Sequence, residues 1–311
     1  MSSSLINLNE VTEVKQIPDM YWEVVTKKLH GVKNVVKLIR GQLFVELKEV
    51  FIRFDKHGRL VPPLGLESKQ CDPDWAFHVK QPIINWAERL DRLKKYLNGK
   101  LPVNIFTDEY EDRGSKILER IKKDEYLSKM LNGPYVIGVI PQLSKQVVDN
   151  YGEVLEDIFL PAVQKAHDDI FAPKRAFKNY RAGELSNQVT VAENTRHDLL
   201  LKKAVEGNLV FVQCIQPLQG YSIRAQREVI SLFPDWIALG GAIDMSCSLI
   251  QFIFELARDT KTPMYDCSAL QWQSSDYSLY WNVNGDEFWF GSQSILEYAS
   301  GDYSGSLVCF G

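Results

Sequence analysis

Two acids in this chain follow short apolar runs: Asp108 comes after Val103-Asn104-Ile105-Phe106-Thr107, and Asp266 after Pro263-Met264-Tyr265. Two carboxylates facing one cavity can divide nucleophilic and acid–base work between them. Two further runs end in groups suited to reading a planar ligand. Val210 to Gln213 leads into Gln216-Pro217-Leu218-Gln219-Gly220, and Trp236-Ile237-Ala238-Leu239 ends in Gly240-Gly241. A glutamine side chain both donates and accepts, and paired glycines let backbone amides come close to a flat ring. Together these are the parts of a base-exchange site. Displacing a base from a sugar passes through an oxocarbenium-like state, which one carboxylate attacks while a second moves the proton. Each part also has an ordinary use: an acid after a strand caps the next helix, paired glycines make turns, and Gln219 would suit a surface turn.

These groups need a scaffold that gathers strand ends. After Pro62-Pro63-Leu64-Gly65 short strand-like runs alternate with amphipathic stretches. The strand candidates are 75–79, 103–106, 135–140, 209–215, 236–239 and 264–267. Between them Trp86, Leu90, Leu93 and Leu97 share one helical face, as do Ile117, Ile121 and Leu127, and Leu199 to Leu201 with Val205. Asn98-Gly99 and Asn132-Gly133 sit where left-handed helix caps are wanted. The alternation predicts a parallel sheet, with a (β/α)8 barrel first and an open doubly wound sheet second. In both, chemistry collects at the carboxyl ends of the strands. The expected organisation is an N-terminal arm and β-rich segment over 1–65 and a barrel over 66–311, the latter ending in a β-hairpin. That hairpin is Ser278 to Val283, a turn at Asn284-Gly285, then Asp286 to Phe290.

The region 209–241 resembles the tRNA-guanine transglycosylase superfamily. Leu218-Gln219-Gly220 is similar to its Val-Gln-Gly strand end, Ala238-Leu239-Gly240-Gly241 to its Ala-Leu-Gly-Gly, and Tyr265-Asp266-Cys267 to the start of its nucleophile motif. Leu101 to Asp108 is more faintly similar to the segment bearing the second aspartate. The resemblance implies a (β/α)8 barrel with Asp266 as nucleophile and Asp108 as acid–base. Gln219, Gly220, Gly240 and Gly241 would hold the base, and Tyr110 joins them as a substrate-binding residue. The Cys-x-Cys-x-x-Cys set that holds zinc in the tRNA enzymes is missing. The chain therefore resembles the zinc-less branch, found in phages and bacteria, that exchanges guanine in DNA for a 7-deazaguanine. DNA is the expected polymer ahead of tRNA, with no metal and no cofactor, and a homodimer is left open. A glycosidase- or nucleosidase-type hydrolase is the alternative enzyme, and a non-catalytic nucleic-acid-binding barrel the alternative without chemistry.

Composition bounds these readings. With 311 residues, 45% hydrophobic and 24% charged, the chain has the balance of a globular protein. No apolar run reaches the roughly 18–20 residues needed to cross a bilayer, and the first ten residues lack a signal peptide's basic and apolar segments. A cytoplasmic location is expected, that of a host if the gene is a phage's. Five scattered cysteines suggest neither a disulfide framework nor a zinc cluster. A net charge of -4 disfavours nonspecific coating of nucleic acid and leaves local basic surface as the route to it. Lys174, Arg175, Lys178 and Arg181 interleave with Phe177 and Tyr180 and are the expected phosphate contacts; Lys27, Lys28, Lys33, Lys37 and Arg40 form a second basic stretch.

Overall fold

The computed structural model describes residues 52–97 and 99–311. The chain divides into units at Met1–Val50 and Phe51–Gly311, and the second is described here. The N-terminal arm, the β-rich segment before residue 52, the Lys27–Arg40 stretch and Asn98 lie outside the described residues, while Gly99, at φ +79°, is left-handed as expected of that cap. Residues 52–65 belong to the larger unit, where the Leu60 amide donates to the Pro217 carbonyl at 2.8 Å.

Helices form where apolar side chains recur at three and four. Helix α1 (Trp86–Leu97) buries Leu90, Leu93 and Leu97, with Glu88 in its first turn and Lys94 and Lys95 in its last, as the helix dipole favours. Helix α2 (Thr107–Lys123) buries Tyr110, Gly114, Ile117 and Ile121; its wet face carries the pairs Glu109–Arg113 and Asp112–Lys116, each an acid four residues before a cation. Two short turns, α3 (Gln146–Asp149) and α4 (Tyr151–Val154), pass through a π-turn at Leu155–Phe159 into α5 (Leu160–Phe171). Then come α6 (His197–Glu206), α7 (Ile223–Val229) and α8 (Ala242–Leu256). Helix α8 is apolar nearly all round and is buried accordingly.

The strands are β1 (Tyr135–Ile140), β2 (Ala176–Asn179), β3 (Val189–Val191), β4 (Leu209–Gln219), β5 (Ile237–Leu239), β6 (Met264–Cys267), β7 (Leu270–Trp272), β8 (Ser278–Asn284), β9 (Glu287–Gln293) and β10 (Tyr303–Phe310). Eight of them make one sheet in the order β1-β4-β10-β6-β8-β9-β2, with β5 also on β10; β3 and β7 pair separately. This overturns the expected (β/α)8 barrel, and with it the doubly wound alternative. Those folds need parallel strands, whereas only β10–β6 and β2–β9 run parallel; β1–β4, β4–β10, β5–β10, β6–β8 and β8–β9 are antiparallel. The path ends at β1 and β2 and does not close into a barrel. Candidate strands 75–79 and 103–106 are irregular, and Gly133 is extended, so it makes no left-handed cap. The hairpin is present, but Gly285-Asp286 form its two-residue turn, one position beyond the expected Asn284-Gly285, with Gly285 at φ +57°.

The β6–β8–β9–β2 part of the sheet has two unlike faces. On the inner face Trp281, Phe288 and Phe290 pack together, the Trp281 ring 4.7 Å from Phe290 and 5.5 Å from Phe288, beneath Phe177 and His167 of α5 and β2. The outer face carries Met264 and Asp266 on β6, Tyr280 on β8, Trp289 and Gln293 on β9 and Tyr303 on β10. No helix among the described residues is long and apolar enough to cross a membrane. Trp281→Ala is expected to cost about 3–5 kcal/mol in urea unfolding, the usual penalty for emptying a buried aromatic site. Leu64→Ala, at an exposed position, is expected to stay within about 0.5 kcal/mol.

Candidate functional site

Asp266 stands in the middle of β6, between Gly305 of β10 and Tyr280 of β8. Only 3% of it is exposed. Both oxygens are held by amides: Gln226 Nε2 donates to Oδ2 at 2.8 Å and Gln293 Nε2 to Oδ1 at 2.8 Å. Gln226 reaches it from α7, whose first turn is capped by Ser222 Oγ accepting from the Ala225 amide. The same Nε2 also donates to the Tyr221 carbonyl at 2.9 Å. Gly305 makes the approach possible, since a Cβ there would lie 1.9 Å from Gln226 Oε1.

Burial pushes the Asp266 carboxyl up to about 7, opposed by the two amides and reinforced by the negative charge of Asp302. Asp302 precedes β10 directly and bonds to the Ser300 hydroxyl. Tyr280, the cross-strand partner of Asp266, lies 6.2 Å from Tyr303 between ring centres, and Tyr303 lies 6.0 Å from Tyr298. Burial raises the Tyr303 phenol above its ordinary value, with Tyr280, Asp266 and Asp302 adding to the effect, so this hydroxyl stays a donor. Arg227 is turned away: its guanidinium donates to the Ser268 and Leu270 carbonyls at 2.8 and 2.7 Å. The arrangement is a buried, protonatable carboxyl on a sheet face that also carries tyrosines, within reach of the Asp302 charge.

The diglycine belongs to a different, closed setting. The Gly240 amide donates to Ser306 O at 3.0 Å and the Gly241 amide to Asp244 Oδ1 at 2.9 Å. A Cβ on Gly240 would lie 2.1 Å from Ser306 Oγ, and one on Gly241 2.5 Å from His197 Cε1. Close packing of β5 and α8 against β10 and α6 therefore requires both glycines. Gln213 Nε2 donates to Asp244 Oδ2 at 3.0 Å and to Ser306 Oγ at 2.8 Å, and the Ser248 hydroxyl donates to Gln213 Oε1. His197 Nδ1 lies 3.3 Å from the Leu239 carbonyl, leaving Nε2 3.9 Å from Asp244 Oδ1. Burial pushes Asp244 up to about 8 and His197 down to about 4, so the pair is neutral near pH 7. These side chains are sealed from solvent and anchor the start of α8.

The remaining expected residues have other partners. Gln219 is buried: its Oε1 accepts from Arg59 Nε at 2.8 Å and Gln216 Nε2 at 3.2 Å, while its Nε2 donates to the carbonyls of Asp74, Phe77 and Gly301. It fastens the 57–80 segment to β4. Gly220 turns the chain at φ +87°, its carbonyl accepting from the Cys71 amide. Tyr110 is buried, its hydroxyl donating to the Ile137 carbonyl and accepting from Gln251. Asp108 is exposed in the first turn of α2, as a helix-start acid. Arg175 donates to the Ala257 and Arg258 carbonyls, Lys178 pairs with Glu287, and Arg181 pairs with Glu184 while its guanidinium lies 4.7 Å from the Trp272 ring centre. Lys174 is exposed. Asp266 thus stands on the outer face of the sheet, whereas Gln219, Gly240, Gly241 and Tyr110 serve the interior.

Gln226, Gln293, Tyr303 and Asp302 went unread in the sequence, and Tyr280 was read only as one aromatic of the hairpin. The available signal was the tyrosine-rich tail, where Asp302-Tyr303 opens the last apolar run. In comparisons with protein-family models, curated proteins and solved structures, none matches this chain. Among the described residues no group of three or more His, Cys, Asp or Glu is arranged to hold a metal ion.

Stability should record the two raised carboxyls. The unfolded chain releases these protons near pH 4, whereas folded Asp266 and Asp244 hold theirs to about 7 and about 8. His197 works the other way, since it is neutral when folded and protonated when unfolded below about pH 6.5. Above about pH 6.5 only the carboxyls count, and the urea midpoint should fall as pH rises to 8. Asp244→Asn should flatten that slope.

Proposed function

We propose that this chain acts on a glycosidic bond, with Asp266 delivering the proton to the leaving group and Asp302 as the second carboxylate. One observation carries the reading: a buried carboxyl raised to about 7 on a sheet face that also carries tyrosines. A group half protonated near neutrality suits general acid catalysis, because it is both present as the acid and strong enough to give the proton. Gln226 and Gln293 fix its orientation, and each oxygen accepts from only one of these amides. Asp302, whose charge reaches Asp266, supplies the negative charge that an oxocarbenium-like centre requires. The tyrosines offer ring faces for stacking and hydroxyls for the polar edge of a sugar.

Water is favoured as the acceptor over an incoming base. The groups expected to read a base edge, Gln219 and the Gly240 and Gly241 amides, already have internal partners. A hydrolase is therefore the leading reading. Exchange of guanine in DNA for a 7-deazaguanine through an Asp266–sugar intermediate keeps only the nucleophile from its expected set.

The test is turnover of a panel of chromogenic glycosides and of nucleosides, with products identified by mass spectrometry. Asp266→Asn is expected to lower kcat by about 10²-fold or more while KM changes little. For wild-type protein kcat should fall as pH rises through about 7, because the acid is lost. Full activity in Asp266→Asn would sink the assignment, and a DNA product carrying a new base would move it from hydrolysis to exchange.

A further inference from the structure

The outer face of the sheet holds more aromatic surface than one sugar ring needs. Tyr298, Tyr303 and Tyr280 continue into Trp289, whose Nε1 lies 3.4 Å from the Tyr280 hydroxyl, and on to Tyr180, 6.2 Å from Trp289 between ring centres. Five rings thus run across β10, β8, β9 and the end of β2. Tyr298 is 54% and Tyr180 50% exposed, and the three between them are half-buried. The wet face of a sheet is ordinarily polar, so a continuous aromatic row there calls for a ligand.

Gly291 lies against two of the rings. It faces Tyr280 across β8 and β9, and a Cβ built on it would sit 3.5 Å from Tyr280 Cζ and 3.6 Å from Trp289 Cδ1. Both side chains therefore come within ordinary contact distance of this position. Neighbouring rings are tilted or edge-on to one another, at 87° for Tyr298–Tyr303, 56° for Tyr280–Tyr303 and 81° for Tyr180–Trp289, so the row offers separate ring faces at changing angles. The C–H face of a sugar packs on such a ring without charge.

Charge selects among polymers. Single-stranded nucleic acid also stacks on aromatic rows, but it needs free cations to meet its phosphates. Here Lys178 is paired with Glu287, which also accepts from the Tyr180 hydroxyl at 3.0 Å. Arg224 faces Glu297 at 3.4 Å and Asp276 at 3.8 Å. The middle of the row holds Asp266 and Asp302. With these cations already paired, such a face offers little to a polyanion and suits an uncharged chain.

We propose that the row from Tyr298 to Tyr180 is a binding track for a neutral polysaccharide that passes over Asp266. The inference deepens the glycosidic reading by naming its substrate class, while the binding rests on residues of its own. The test uses the full chain carrying Asp266→Asn, so that bound polymer is not consumed, in affinity electrophoresis and calorimetry. The probes are soluble mixed-linkage β-glucan, xyloglucan, glucomannan and dextran, with polygalacturonate and oligo-dT as anionic comparators. At least one neutral polymer is expected to bind, with affinity unchanged between 50 mM and 500 mM salt. Tyr180→Ala and Trp289→Ala, toward the far end of the row, should each weaken it by about tenfold, with unchanged thermal melting showing the fold intact. Failure of every neutral polymer to bind, or binding that both variants leave unaltered, would overturn the track. Salt-sensitive binding of oligo-dT lost in the same variants would overturn it in favour of nucleic acid. Polymer binding with no turnover of any glycoside by wild-type protein would remove the hydrolase reading and leave the track standing; turnover of small glycosides without polymer binding would do the reverse.

Discussion

The two-residue period of β8 and β9 is the constraint on which both core and site depend. Along β8 the odd positions send Leu279, Trp281 and Val283 inward while Tyr280 faces out; along β9 Phe288 and Phe290 go in while Trp289, Gly291 and Gln293 go out. A slip of one residue would exchange these sets, exposing Trp281 and burying the outward row. The Gly285-Asp286 turn pins the register from one end. From the other, Gln293 reaches Asp266 only if β9 stays in place. The stability of the aromatic core and the position of the amide that holds the carboxyl are therefore one property of one hairpin.

Two buried carboxyls show how similar physics leads to different uses. Asp244 and Asp266 both receive two hydrogen bonds from N–H donors, and both are pushed up by burial. Asp244 sits at the first turn of a 15-residue helix, enclosed by Gln213, Ser306 and His197, with the diglycine packed against them. Its bonds join β4 to the start of α8, Gln213 extends the link to Ser306 of β10, and Asp244 is fully buried. Asp266 is 3% exposed on the outer face of the sheet, held by Gln226 of α7 and Gln293 of β9 beside the half-buried Tyr280 and Tyr303. Burial and a raised carboxyl are thus common to both, and what differs is the element each one ties down.

Much of the secondary structure was legible in the sequence, and the topology was not. Helices α1, α2 and α6 followed from apolar residues three and four apart; strands β1, β4, β5, β6 and the hairpin followed from short apolar runs. Strand direction is absent from such runs, because a strand buried on both faces reads the same whether its neighbours are parallel or antiparallel. Strand β10, which joins β4, β5 and β6, lay in a tail whose Gly and Ser residues hid it. Once those strands are antiparallel, their ends no longer gather at one rim. The Leu-Gln-Gly and Leu-Gly-Gly motifs then fall in separate parts of the interior: Gln219 bonds to Arg59, and Gly241 packs on His197. Asp266 stood out as a strand-borne acid, but its partners Gln226 and Gln293 come from a helix and a strand 40 residues before it and 27 after, with no local spacing to reveal them.

Residue type, beyond hydrophobicity, sorts the two faces. Inward positions of β8, β9 and β2 take Phe and Trp: Trp281, Phe288, Phe290 and Phe177. Outward aromatics are Tyr180, Tyr280, Tyr298, Tyr303 and Trp289, each with a polar atom on its ring system. Phenylalanine outward would stack as well but would leave an apolar patch prone to self-association. Tyrosine keeps the ring face while its hydroxyl stays hydrated or bonded, as Tyr180 is to Glu287. A face needed only for solubility would carry charges there, and one needed only for packing would carry Phe or Leu. Tyrosine in that row joins a ring face to a polar atom on a surface that is half-buried to exposed in the free protein.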